Sequence, residues 1–261
     1  MNLSLENKTA IVCGSTQGIG FASAIELANL GATCVLMARN ETALQEAIKQ
    51  LSTAFSEKHS YLVADFDKPE TVKVAIEKFV ENNAVHILIN NSGGPASGAI
   101  TTANEEDFLN TFNRHLICNH ILAKAVIPSM KAAGYGRIIN VISTSVKVPL
   151  PNLGVSNTIR GAVASWSKTM ANELGQFNIT VNNVLPGATA TQRLKGIIEV
   201  NSGKKNKSIY EVEEEMKKEI PMKRFAEPNE IANAVAFLAS PAASYINGVS
   251  VAVDGGRTGS L

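Results

Sequence analysis

Seven short apolar runs, with stretches of helical periodicity between them, constrain this 261-residue chain more than any other feature. The runs are Thr9 to Cys13, Cys34 to Ala38, Tyr61 to Ala64, His86 to Ile89, Ile138 to Ile142, Val181 to Leu185 and Val249 to Val253. Their apolarity is continuous rather than alternating, as a strand covered on both faces requires. Helical spacing fills the gaps, for example at Phe21 to Leu30, Glu41 to Leu51, Thr71 to Val80 and Ile231 to Leu238. This β-α alternation predicts a doubly wound α/β fold, a parallel seven-stranded sheet with helices on both faces. Two longer helices are expected, Phe108 to Met130 stopped by Gly134 and Asn152 to Leu174 stopped by Gly175.

The length suits one hydrophobic core, and no repeat, low-complexity tract or Pro/Gly-rich linker divides the chain, so residues 1–261 are expected to form a single domain. A hydrophobic fraction of 45% against 18% charged residues excludes the composition of a disordered chain. The net charge of +1 and only 5% aromatic residues argue against a nucleic-acid or membrane-surface partner. Cys13, Cys34 and Cys118 lie in apolar sequence without metal-ligand spacing, so buried thiols and no metal are expected. With no secretory pattern at the amino terminus and no apolar run of membrane length, the expected location is cytoplasmic.

Directly after the first run comes Gly14-Ser15-Thr16-Gln17-Gly18-Ile19-Gly20, and a helical segment follows. Strand, glycine turn and helix amino terminus together make a site where bare backbone approaches a pyrophosphate and the helix dipole favours its charge. A glycine turn by itself is often only a tight loop; the flanking strand and helix give it meaning. The second run ends at Ala38-Arg39-Asn40, where such folds meet the adenosine ribose. An acidic residue there would accept from a free 2′-hydroxyl, whereas Arg39 offers a cationic fork to a 2′-phosphate, so NADP(H) is favoured over NAD(H). The bland alternative is an exposed arginine at a strand end.

These landmarks, in this order, resemble the short-chain dehydrogenase/reductase family over nearly the whole chain. Gly14, Gly18 and Gly20 match its glycine turn, although Cys13 stands where the family usually has Thr. Asp65-Phe66 match the pair that holds adenine, and Asn90-Asn91-Ser92-Gly93 match its N-N-A-G with Ser92 for Ala. Pro186-Gly187 with Thr189 and Thr191 match the segment that contacts the nicotinamide and pyrophosphate, and Asp254-Gly255-Gly256 match the ending after the last strand. The resemblance implies a Rossmann-like fold, a small-molecule substrate, a substrate lid at about residues 188–222 and a homo-oligomer, a tetramer or dimer. Within that lid region Lys195 to Lys218 is charge-rich. Its lysines and Tyr210 are within reach of a closed site, but such a run is usually a solvated face.

At the catalytic positions the pattern breaks. Family members pair a Ser and a Tyr on the substrate oxygen, with a Lys four residues after the Tyr on the nicotinamide ribose and an Asn on the preceding helix ordering a relay water. Counted without a gap from Gly136, these positions fall on Ser143, Ser156, Arg160 and His115. Ser156 cannot replace a Tyr, because its hydroxyl is a far weaker acid on a shorter stem. Arg160 can hold positive charge at the ribose and stabilise an anion, but it does not shuttle protons near neutrality. His115 alone could exchange a proton at physiological pH, although a structural histidine is the plainer reading. Ser143 can hydrogen-bond a substrate oxygen or simply end its strand. Two functions stay open: an NADP(H)-dependent oxidoreductase that reduces a carbonyl or a conjugated double bond, and an NADP(H)-binding protein without turnover.

Overall fold

The computed structural model describes residues 1–55 and 58–260. The chain runs β1 (Thr9–Cys13), α1 (Gly18–Asn29), β2 (Thr33–Ala38), α2 (Glu41–Ile48), β3 (Ser60–Val63), α3 (Pro69–Val80), β4 (Ile87–Asn90), α4 (Glu105–Phe112), α5 (Cys118–Ala133), β5 (Gly136–Val141) and α6 (Gly154–Leu174). It continues through β6 (Ile179–Pro186), α7 (Gln192–Lys205), α8 (Ile209–Lys218), α9 (Pro228–Ala239) and β7 (Ser250–Val253). The strands form one parallel sheet in the order β3-β2-β1-β4-β5-β6-β7. Every strand lies within two residues of its apolar run.

Successive side chains of β1 point to opposite faces, so Ala10 and Val12 enter one core while Ile11 and Cys13 enter the other. On the first face Leu27 of α1, Leu44 of α2 and Val235 of α9 pack against the sheet. On the second, Ile76 of α3, Val126 of α5 and Leu174 of α6 do so. The polar interruptions in the strands pair with one another. Asn90 Nδ2 donates to Asn140 Oδ1 (2.8 Å), Asn140 Nδ2 to Asn183 Oδ1 (3.0 Å) and Asn183 Nδ2 to Ser250 Oγ (3.1 Å), a ladder across β4 to β7.

Both long helices differ from expectation. The stretch from Phe108 to Met130 is two α-helices joined by a π-turn at Asn113–Ile117, and Gly134 ends α5 in the left-handed conformation (φ 58°). The helix expected from Asn152 starts at Gly154, because Asn152 takes a φ of 57°. Its α-helical part ends at Leu174 with Gly175 as the C-cap, as expected, but Gly175 stays right-handed (φ −54°), a short 3-10 turn follows, and Asn178 (φ 59°) reverses the chain. Lys195 to Lys218 forms the paired helices α7 and α8 over a small core of Leu194, Ile198 and Val212.

From β1 the chain builds outward to β3 and then crosses back to β4. The crevice at the carboxyl ends of β1 and β4 is the place where open sheets of this kind bind ligands.

Candidate active site

Two joined cavities lie at the carboxyl ends of the strands. The larger, a cleft of about 660 Å³, runs over the β1–α1 turn; the smaller, about 250 Å³, lies over β5 and β6 under α7 and α8. Ile19, Asn91, Ser92, Gly94, Thr191 and Arg193 line both.

The floor of the cleft is bare backbone. Gly14 has a φ of 57°, and a Cβ there would lie 2.7 Å from Asn91 O; at Gly20 a Cβ would lie 2.3 Å from Gly14 O. Only glycine fits either place. No side chain caps α1, whose Gly18 and Ile19 line the cleft, so its first-turn N–H groups remain available to an anion. Asn91 Nδ2 donates to Cys13 O and Gly14 O (both 3.3 Å), fixing the turn against β4. A dinucleotide's linked phosphates fit this cradle.

Thr16, Gln17, Arg39, Asp65, Phe66 and Gly93 also line the cleft. The Arg39 side chain is 74% exposed, and its only ion pair among the described residues is a loose one, Nη1 to Asp67 Oδ2 at 3.8 Å. An exposed pair of that length holds a side chain weakly, so Arg39 is free to turn to a phosphate. Three residues expected at the cofactor line neither cavity. Ser15 is buried, and its Oγ accepts from Met37 N–H (3.2 Å), tying the glycine turn to β2. The Asn40 side chain accepts from Ala43 N–H and caps α2, while Gly20 acts from behind by letting α1 approach Gly14.

The smaller cavity brings Ser143, Ser156 and Arg160 together with Pro186, Gly187 and Thr189. The Ser143 oxygen accepts from Ser145 N–H (3.1 Å), which leaves its hydroxyl proton to donate. Ser156 is buried in the first turn of α6. One turn further on, Arg160 is also buried; its Nη1 donates to Val141 O (3.1 Å), and its Nε has no partner among the described residues. Burial, and then the charge of Arg193, push the Arg160 guanidinium down to about 10, so it stays charged at neutral pH.

His115 sits on the π-turn, is buried and lines neither cavity. Its Nδ1 meets Ser92 Oγ at 2.7 Å, and Nε2 is unpartnered among the described residues. Burial and the charges of Arg160, Arg114 and Arg193 hold it well below the usual histidine value. A neutral, walled-off imidazole is a poor proton donor to the cavity, and its visible work is to position Ser92. Tyr210 is 71% exposed and lines neither cavity; Lys205 and Lys207 pair with Glu215 instead of reaching inward.

Arg193 and Arg114 escaped sequence reasoning. Arg193, in the first turn of α7, donates Nη1 to Gly94 O (2.8 Å) and Nη2 to Pro95 O (3.0 Å), clasping α7 to the loop after β4. A cation there opposes the helix dipole, and that local conflict was the available signal. Arg114 binds Asp67 through Nε (2.5 Å) and Gly93 O through Nη1 (3.3 Å) on the wall of the cleft.

Residues 14–258 match a family model described as enoyl-(acyl carrier protein) reductase. The chain is 31% identical to the NADPH-dependent reductase BacG of Bacillus subtilis, over 98% of this chain and 100% of the relative. It is 33% identical to the 3-oxoacyl-[acyl-carrier-protein] reductase FabG of Chlamydia trachomatis, over 97% and 98%. Among solved structures, YwfH, an NADPH-dependent reductase involved in bacilysin biosynthesis, superposes with a TM-score of 0.91 at 32% identity, over 97% of this chain and 99% of that one. The L-sorbose reductase of Gluconobacter frateurii, complexed with NADPH and L-sorbose, superposes with a TM-score of 0.93 at 31% identity over both full chains.

Proposed function

Because the chain belongs to the short-chain dehydrogenase/reductase family, we propose that it is an NADP(H)-dependent reductase acting on a small molecule, with a conjugated double bond favoured over an isolated carbonyl. The observation that carries this is the junction of the two cavities. A phosphate cradle opens, past Asn91, Ser92 and Thr191, onto a small cavity bounded by Ser143 and a buried, charged Arg160. Arg39, Asp65 and Phe66 would hold the adenosine end, and Gly14, Gly18 and Ile19 the pyrophosphate. Thr189, Thr191 and Pro186-Gly187 would hold the nicotinamide end. When bound, the reduced nicotinamide supplies a hydride.

Ser143 donates its hydroxyl proton in a hydrogen bond to the substrate oxygen, and Arg160 opposes the negative charge that develops there. Neither gives up a proton at neutral pH, Ser156 is too weak an acid, and His115 is neutral and enclosed. Water therefore supplies the proton. That division suits conjugate reduction, whose enolate needs electrostatic stabilisation more than an acid acting in concert. The family model's description, an enoyl reductase, points the same way, while the names of the relatives, 3-oxoacyl and L-sorbose reductases among them, support reduction with NADPH without choosing the bond. The proposed assembly is a homo-oligomer.

The absence of any tyrosine among the residues lining the cavity favours a second reading, NADP(H) binding without turnover. One experiment separates them: fluorescence titration with NADPH and NADH, followed by NADPH oxidation across ketones and enones. NADPH binding tighter than NADH, with an active enone and loss of turnover in Arg160→Ala, supports the enzyme. Tight NADPH binding with no active compound supports the binder, and equal affinity for both nucleotides removes Arg39 from its role.

A further inference from the structure

The smaller cavity carries more positive charge than reduction of a neutral substrate would use. Arg160, Arg193 and Arg257 line it, and no Asp or Glu among the described residues does. Arg257 is answered by Glu219 outside. Arg160 and Arg193 meet only backbone carbonyls, at Val141, Gly94 and Pro95. Two guanidiniums around one small cavity repel each other unless an anion lies near both, and Arg160 is too buried for water to screen it well. Oxyanion stabilisation occupies one guanidinium and leaves the other, beyond its hold on the loop after β4, without a role toward the substrate.

We infer that the substrate is a small carboxylic acid, its carboxylate held by Arg193 while Arg160 faces the reacting oxygen. This rests on the reductase reading above. Arg193 suits a standing charge. Two of its N–H groups are fixed on Gly94 and Pro95, so the planar fork is already oriented, and its remaining N–H groups are free for a carboxylate. The first turn of α7 adds the positive end of a helix dipole to the same wall. The rest of that wall is apolar, with Leu150, Leu153, Leu194, Ile197 and Met216, which fits the hydrocarbon body of a short acid. Arg193 also borders the dinucleotide cleft, so a cofactor phosphate is the competing partner.

A non-reactive pair of probes, hexanoate and hexanamide, tests this by calorimetric titration of the native protein with and without NADPH. Hexanoate is expected to bind about tenfold more tightly than hexanamide in both states, a difference of about 1.4 kcal/mol. In Arg193→Met the preference is expected to fall to about twofold, with NADPH affinity nearly unchanged. Equal binding of acid and amide to the native protein, or no binding of hexanoate, overturns the inference without any variant. So does an Arg193→Met protein that keeps the preference while losing NADPH affinity, which would give this arginine to the cofactor. If NADPH itself fails to bind, the reductase reading falls; the acid preference of the free protein still decides this one.

Discussion

Replacing Arg160 by methionine separates what this side chain does for the fold from what it does for chemistry. Arg160 is 8% exposed, and its guanidinium has no acidic partner among its hydrogen bonds. Its proton affinity is depressed from the ordinary guanidinium value to about 10, chiefly by burial. At about 1.4 kcal/mol for each tenfold change, holding the charged form in the folded protein costs roughly 3 kcal/mol. Against that stands the hydrogen bond to Val141 O, of a charged type that contributes about 1.5–3 kcal/mol. Methionine follows a similar path through the core, loses the bond and removes the burial cost. The two contributions nearly cancel, so stability should change by about 1 kcal/mol or less, a melting temperature within about 4 °C of the native protein. Loss of one donor at the developing charge should lower kcat/KM about 100-fold to 1000-fold. Thermal melts of the free protein and steady-state kinetics with an active enone read the two effects separately. A melting temperature lower by roughly 8 °C or more would mean that Arg160 is a net structural support, and the argument that its charge is kept for an anion would be lost.

Two further perturbations probe the cradle and the π-turn. Gly20→Ala puts a methyl 2.3 Å from Gly14 O, a backbone clash; it should destabilise by about 1–3 kcal/mol and weaken NADPH binding about tenfold, and unchanged melting and titration curves would refute the close packing. His115 is neutral in the folded protein well below its ordinary value, so the unfolded chain binds the extra proton as pH falls through about 6.5 and stability declines below that point. His115→Asn should therefore flatten the fall in melting temperature between pH 6.5 and 5, leaving the smaller share that half-buried His86 contributes by the same mechanism; an unaltered acid limb would show that His115 is not held neutral.

The strands were legible because a sheet covered on both faces leaves no room for polar side chains except where they pair, as Asn90, Asn140, Asn183 and Ser250 do. Helix interiors were legible for the same reason. Their ends were legible only in part. Gly134 and Gly175 cap α5 and α6 as expected, yet after Gly175 the chain reverses only at Asn178, whose Nδ2 reaches Gly134 O (2.7 Å) across the start of β5. The π-turn at Asn113–Ile117 has no period of its own to detect, since it inserts one loosened turn into an otherwise continuous helical pattern.

Within the site, what the backbone dictates was readable, and what side-chain direction dictates was not. Gly14 and Gly18 had to be glycine because of where the main chain passes, so their spacing carried the cleft. Ser15 and Asn40 belong to the same short motifs, but their side chains turn away to satisfy Met37 and Ala43 N–H groups, a choice made by neighbouring elements. Arg193 shows the converse. Nothing in its local sequence favours a cation at the head of α7, so its position is explained only by the loop carbonyls it clasps and the charge it brings to the cavity. In a chain with serine where the family keeps its acid, a second guanidinium shifts the problem from delivering a proton to holding negative charge. Positive potential alone can do that, whichever solvent molecule later brings the proton.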